Sequence, residues 1–231
     1  MHVLILGDSF ALPRPRHVRE YNPADAEPLA VTFRQTYGAL LSDWLTAKYP
    51  ERHSIVTNRA VRSTTIVQIN DQFGDQLFFM EPDVIILHVG LVDCWPRQDN
   101  DGLPLISSAE FEFKLKNCIR TLSLRPHTRL IIVGISPCAA YLEENSPGIL
   151  NSIELYNSIL KKVVDNRQIS FVDMAVHIDP HQPDTYLHSD GQHLNPEGNN
   201  LVFQKTSALI TNFIENGVNS ITSSPSPTPS L

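Results

Sequence analysis

Apolar residues along this chain fall into short solid runs, separated by stretches where they recur at helical spacing. Residues 2–6 (HVLIL) form the first run, closed by Gly7-Asp8. Residues 54–57, 83–89 (DVIILHV), 128–134 (TRLIIVG) and 169–172 form four more. Short apolar runs bounded by turn residues predict buried strands. Between them, Phe33, Tyr37, Leu40, Leu41, Trp44 and Leu45 lie on one helical face, which predicts a helix over 32–48 with Pro50 past its end. Similar spacing predicts helices within 64–80, near 108–124 and near 149–166. A last helix starts near Pro196, a residue suited to a first turn.

Strands that are apolar throughout and alternate with amphipathic helices imply a parallel sheet covered on both faces. The expectation is an α/β protein: a three-layer α/β/α sandwich with a flavodoxin-like parallel sheet of about five strands. Ligands of such sheets bind beyond the carboxyl ends of the strands. Two irregular stretches, 11–30 and 91–107, follow strands and are long enough to suggest function. One domain is expected over 1–216. The remainder, 217–231, is Ser/Thr/Pro-rich and nearly uncharged, and is expected to be disordered.

Composition narrows the function. The chain has 42% hydrophobic and 19% charged residues, ordinary for a globular protein. A net charge of -7 argues against a general nucleic-acid partner. No apolar run approaches the roughly 20 residues of a membrane helix, and no membrane partner is expected. Met1 leads directly into HVLIL without the pattern of a secretory leader. Cys94, Cys118 and Cys138 are odd in number and form no CxxC pair, which fits a reducing, cytoplasmic setting. No GxGxxG follows the first strand, so a dinucleotide site is disfavoured. His177, His181 and His188, with Asp173, Asp179 and Asp184, match no metal-binding spacing. No cofactor is expected, and the oligomeric state is left open.

Two stretches can carry chemistry. Gly7-Asp8-Ser9 puts a hydroxyl at the sheet's carboxyl edge. Read alone, it is also an ordinary turn or cap. Asp190-Gly191-Gln192-His193 sets an aspartate three residues before a histidine in a Gly-containing turn, ahead of the last helix. Such an aspartate can orient the imidazole and stabilise its cation as the histidine takes a proton from a nucleophile.

Together the two stretches resemble the SGNH (GDSL-type) hydrolase family. Its first block is Gly-Asp-Ser after the first strand, and its last is Asp-x-x-His, often continued as His-Leu-Asn-x-x-Gly. Here these are Gly7-Asp8-Ser9 and Asp190…His193-Leu194-Asn195-Pro196-Glu197-Gly198. The resemblance spans about residues 2–215. It implies Ser9 as nucleophile, His193 as base, Asp190 as its orienting partner, and the Ser9 backbone N–H as an oxyanion donor. The middle blocks depart from the pattern. In the second, Ala60 stands for the family's glycine donor, with Ser63 the weaker alternative and Asn58 close by. In the third, Gly90-Leu91-Val92-Asp93 puts Val92 where the family has an asparagine donor. Losing one oxyanion donor typically slows turnover by about 10²–10³.

His88, Asn58 and Arg97 are candidate replacements, although His88 also reads as a core residue. Arg97 could equally bind a carboxylate or phosphate. Asp93 is a candidate site residue or a loop acceptor. Cys94 is more simply a buried hydrophobe than a second nucleophile. Arg14, Arg16, His17 and Arg19 follow the nucleophile closely, and Arg14 and Arg16 are expected to help bind an anionic or polyhydroxyl substrate. The resulting expectation is a serine esterase acting on a small-molecule or carbohydrate ester. The alternatives are an O-acyltransferase to a sugar hydroxyl, or a binding protein of this fold with weakened turnover.

Overall fold

The computed structural model describes residues 1–15, 29–165 and 167–222. Five parallel strands form the main sheet: β1 (His2–Gly7), β4 (Ile55–Asn58), β5 (Val84–His88), β6 (Arg129–Val133) and β7 (Ile169–Val172). Their order is β4-β1-β5-β6-β7, the flavodoxin-like arrangement expected. The β1 and β5 backbones pair from Val3↔Val84 through Gly7↔His88. The inner strands bury nearly every residue, which is why they read as solid apolar runs. The edge strand β4 stays half open to solvent.

Helices cover both faces. On one, α1 (Tyr37–Lys48) packs with α6 (Pro196–Thr222). On the other, α4 (Ser108–Leu122) packs between α2 (Ile66–Met80) and α5 (Ile149–Lys161). Phe111, Leu115, Cys118 and Leu122 form the buried stripe of α4, and the Ser107 side chain caps its start through the Glu110 N–H. The Thr36 hydroxyl caps α1 in the same way through Ala39.

Three details differ from the sequence expectation. The stretch after β1 is not wholly irregular: β2 (Arg14–Pro15) and β3 (Leu29–Val31) form a small antiparallel ribbon. A short helix, α3 (Leu91–Cys94), begins the stretch after β5. The last helix runs on to Thr222, past the boundary expected at 216. Residues 223–231 of the expected tail lie outside the described residues. Among the described residues, no helix is long and apolar enough to cross a membrane.

The strand order reverses between β1 and β5, and a crevice opens beyond their carboxyl ends. Ser9 leaves β1 there, and α3 leaves β5 on the other side.

Candidate active site

The position of Ser9 follows from how β1 ends. The Asp8 N–H donates to the His88 carbonyl (3.1 Å), so β1 stays zipped to β5 until just before Ser9. A Cβ at Gly7 would run into that same carbonyl oxygen, so this close approach requires glycine. The Asp8 carboxylate then accepts the Phe10 N–H (3.0 Å) and caps a 3-10 turn over Ser9–Ala11. The Ser9 N–H is left without a partner among the described residues.

His193 reaches this serine from the turn before α6. Ser9 Oγ and His193 Nε2 are 2.9 Å apart, and His193 Nδ1 lies 2.8 Å from Asp190 Oδ2. The other oxygen of Asp190 accepts the backbone N–H groups of Gln192 (3.1 Å) and His193 (3.0 Å). The turn is tight: the Gly191 N–H donates to the His188 carbonyl, and the His188 N–H to the His193 carbonyl. Gly191 has φ +71°, and a Cβ there would strike the Tyr141 hydroxyl, which itself donates to the Ser189 carbonyl. Glycine is therefore required on both counts.

Burial lowers the His193 pKa, the Asp190 contact raises it, and the Arg14 charge lowers it again. The net direction is down, which keeps the imidazole neutral and able to accept a proton at pH 7. Burial alone would raise the Asp190 pKa. The hydrogen bond and charge of His193, with the two backbone donors, outweigh it and hold the carboxyl well below the usual carboxylate range. Phe10 packs against the His193 ring at 5.4 Å between centroids.

The remaining expected residues divide sharply. Arg14 does not reach outward to a substrate: it is buried, and Nη2 donates to Asp190 Oδ2 at 2.9 Å. That oxygen thus receives both Arg14 and His193. Arg16, with His17 and Arg19, lies outside the described residues. The Ala60 N–H is taken by the Asn58 side chain (3.0 Å), whose own amide donates to the Ala11 carbonyl (2.8 Å). This Asx turn ties β4 to the loop after Ser9, and neither residue lines the crevice. Asp93 is fully buried and accepts the Ile66 N–H (2.9 Å), capping α2. Burial pushes its carboxyl up to about 7. Cys94 is buried, with its thiol pKa pushed well up. His88 packs between Phe10 and Tyr37, and burial lowers its pKa to about 3, so it is a neutral core histidine.

The crevice around Ser9 and His193 has a volume of about 280 Å³. Arg97 lines it, and the Val92 side chain offers it only hydrocarbon. Ser63, Trp95 and Gln192 line it too. Ser63 has φ +59°, a conformation in which a residue other than glycine is strained, and its N–H makes no hydrogen bond among the described residues. Gln192 was identifiable from its place inside the Asp190–His193 turn, whereas Trp95 carried only its nearness to Gly90. A roomier groove of about 440 Å³ between α5 and the segment after β7 holds none of these groups. Chemistry, rather than size, marks the site. Among the described residues, no three histidine, cysteine or acidic side chains converge as metal ligands.

Comparison with known proteins agrees with this architecture. The model of the GDSL-like Lipase/Acylhydrolase family matches residues 5–201. No curated protein gives a significant match. Among solved structures, the chain is similar to an alpha/beta hydrolase enzyme from the metagenome of Lake Arreo, Spain, at 19% identity and a TM-score of 0.64, covering 90% of this chain and 93% of that one. It is also similar to an acetylxylan esterase from Geobacillus stearothermophilus at 18% identity and 0.64, covering 88% and 90%. A third similar structure is TesA, at 14% identity and 0.65, covering 92% and 99%.

Proposed function

Because the chain belongs to the GDSL-like lipase/acylhydrolase family, we propose that it is a serine esterase that cleaves a small ester or deacetylates a carbohydrate. One observation carries this reading: Ser9 Oγ lies 2.9 Å from His193 Nε2, while His193 Nδ1 is held 2.8 Å from Asp190. His193 takes the Ser9 proton, and Oγ attacks the ester carbonyl. The tetrahedral intermediate collapses as His193 returns that proton to the departing alcohol oxygen. Water then attacks the acyl-enzyme, with His193 again as base, and the acid leaves. Asp190 fixes the tautomer and stabilises the imidazolium.

The oxyanion rests on the Ser9 N–H and, in place of Ala60, on the Ser63 N–H. Ala60 is excluded because Asn58 already holds its N–H. The Ser63 N–H is unpaired among the described residues and belongs to a residue that lines the same crevice. A crevice of about 280 Å³ suits a small acyl group or an acetylated sugar better than a long lipid chain. The three buried, free cysteines support a reducing, cytoplasmic setting.

A fluorophosphonate probe tests the reading. Ser9 in the folded protein should be labelled and Ser9→Ala should not. No labelling of the wild-type protein would sink it, and would favour the second reading, a binding protein whose turnover the donor-less Val92 has weakened. Product analysis with an added sugar alcohol separates hydrolysis from acyl transfer to a hydroxyl.

A further inference from the structure

Arg97 is a cation that this crevice leaves without an anion among the described residues. Its backbone is pinned from both sides. The N–H donates to the Leu103 carbonyl (3.0 Å), and the carbonyl accepts from Asn100 (3.1 Å) and Gly102 (2.8 Å). Pro96 and Pro104 bridge across the base of the loop, and Trp95 Nε1 donates to Ser146 Oγ (3.0 Å). The side chain therefore springs from a fixed point on the crevice wall.

Its guanidinium group is not used by the described part of the protein. Nε is buried and has no hydrogen-bond partner, and among the described residues no carboxylate lies within 4 Å of the group. Arg14 also has a buried, unpartnered Nε, but its Nη2 is held by Asp190. Among the described residues, the single carboxyl lining the crevice is Asp8, which is fully buried and bonded to the Phe10 N–H. A buried, unpaired guanidinium donor is costly, and a planar carboxylate matches its fork of N–H groups. In a chain of net charge -7, a cation that is unpaired among the described residues and lines the same crevice as Ser9 is able to favour an anionic substrate.

We propose that this crevice selects esters that carry a carboxylate, bound by Arg97 while Ser9 attacks the ester carbonyl. The proposal rests on the reading of Ser9 and His193 as an esterase pair. The anion-binding role expected of Arg14 and Arg16 falls, in the described part of the chain, to Arg97. The carboxylate is a spectator, so the acyl transfer above is unchanged.

Two substrate pairs, each differing by the carboxylate charge and one methyl group, test it. Monophenyl succinate is compared with its methyl ester, and 4-acetoxybenzoate with its methyl ester. The first pair places the carboxylate on the acyl side and the second on the alcohol side. The wild-type protein should favour the charged member of at least one pair by about ten- to a hundredfold in kcat/KM, mainly through KM. Arg97→Gln should bring that ratio near one, and Arg97→Lys should restore part of it. The proposal fails if the wild type shows no preference for charge, or if the preference survives Arg97→Gln. It also fails if Arg97→Gln slows both members equally, since Arg97 would then serve the oxyanion. Calorimetric titration of 4-acetoxybenzoate and monophenyl succinate into Ser9→Ala separates this failure from failure of the esterase reading. Binding of either that disappears in Ser9→Ala/Arg97→Gln supports the anion site even if no ester is cleaved, and absence of binding of both overturns it.

Discussion

Replacing Asp8 by asparagine tests what the aspartate of Gly7-Asp8-Ser9 costs the fold. Asp8 is fully buried, and one of its oxygens, Oδ2, has no hydrogen-bond partner among the described residues. Burial, with the nearby Asp93 charge, lifts its carboxyl from an ordinary 3.8 to about 7, against the pull of the Phe10 N–H. Between those values the folded protein keeps a proton that the unfolded chain releases. Stability therefore falls as pH rises through that window, by about 4 kcal/mol across all of it and about 3 kcal/mol between pH 4.5 and 8. The Asp8→Asn side chain would keep the oxygen that caps the 3-10 turn and would carry no charge. Its buried amide N–H groups would add a penalty of about 1–3 kcal/mol, the same at either pH. The difference in unfolding free energy between Asp8→Asn and wild type should thus move by about 3 kcal/mol in the variant's favour from pH 4.5 to pH 8. Urea denaturation followed by tryptophan fluorescence at both pH values measures it. A difference that stays constant to within about 1 kcal/mol would refute the reasoning, because Asp8 would then ionise in the fold as it does in water.

Two further sites address the proposed catalytic machinery. Arg14→Met removes a positive charge that lowers the His193 pKa. In the proposed mechanism the neutral imidazole is the base and is lost as pH falls through that pKa, so the acid limb of kcat/KM should move to higher pH; a limb that stays or moves lower contradicts this. Asp190 keeps its His193 contact and two backbone donors, so kcat should fall only about tenfold, as for one charge-assisted bond. Ser63→Gly should relieve the left-handed strain, worth roughly 1 kcal/mol, and raise the thermal midpoint by about 2–4 °C; a lower midpoint would show that the Ser63 hydroxyl outweighs the strain. Ser63→Ala keeps the backbone donor, so it should lower kcat/KM by less than about tenfold, whereas a larger loss would assign the oxyanion contact to the hydroxyl.

Much of the architecture was legible because it is local. The solid runs at 2–6 and 83–89 became β1 and β5 within a residue or two of their expected ends. Ser9 and His193 stood out because each belongs to a short local motif, Gly7-Asp8-Ser9 and Asp190…His193, that together resemble one family. What could not be read was pairing at long range. Nothing in residues 11–30 shows that Arg14 meets Asp190, 176 positions away. The Ala60 expectation failed for a local reason that was visible in principle. An asparagine two residues upstream competes for a backbone N–H, and Asn58 does so. Ser63 stood only as the weaker alternative, because a positive φ at a serine is imposed by its surroundings rather than by its own preference. His88 showed the ambiguity of any histidine in a strand, and its packing between two aromatic rings resolves it as core.

The contact between Ser9 and His193 spans 184 positions of sequence. The segment after β1 that holds Ser9 is made well before the turn carrying His193, which follows nearly all of the strands and helices described. Closing so large a loop has an entropic cost that only the docking of α6 against α1 and the sheet can offset. The serine therefore remains an unassisted hydroxyl throughout chain growth, and becomes hydrogen-bonded to its histidine only as the last helix settles. The same wiring would run in reverse: a local opening of that final segment would separate the pair even with the five strands still paired.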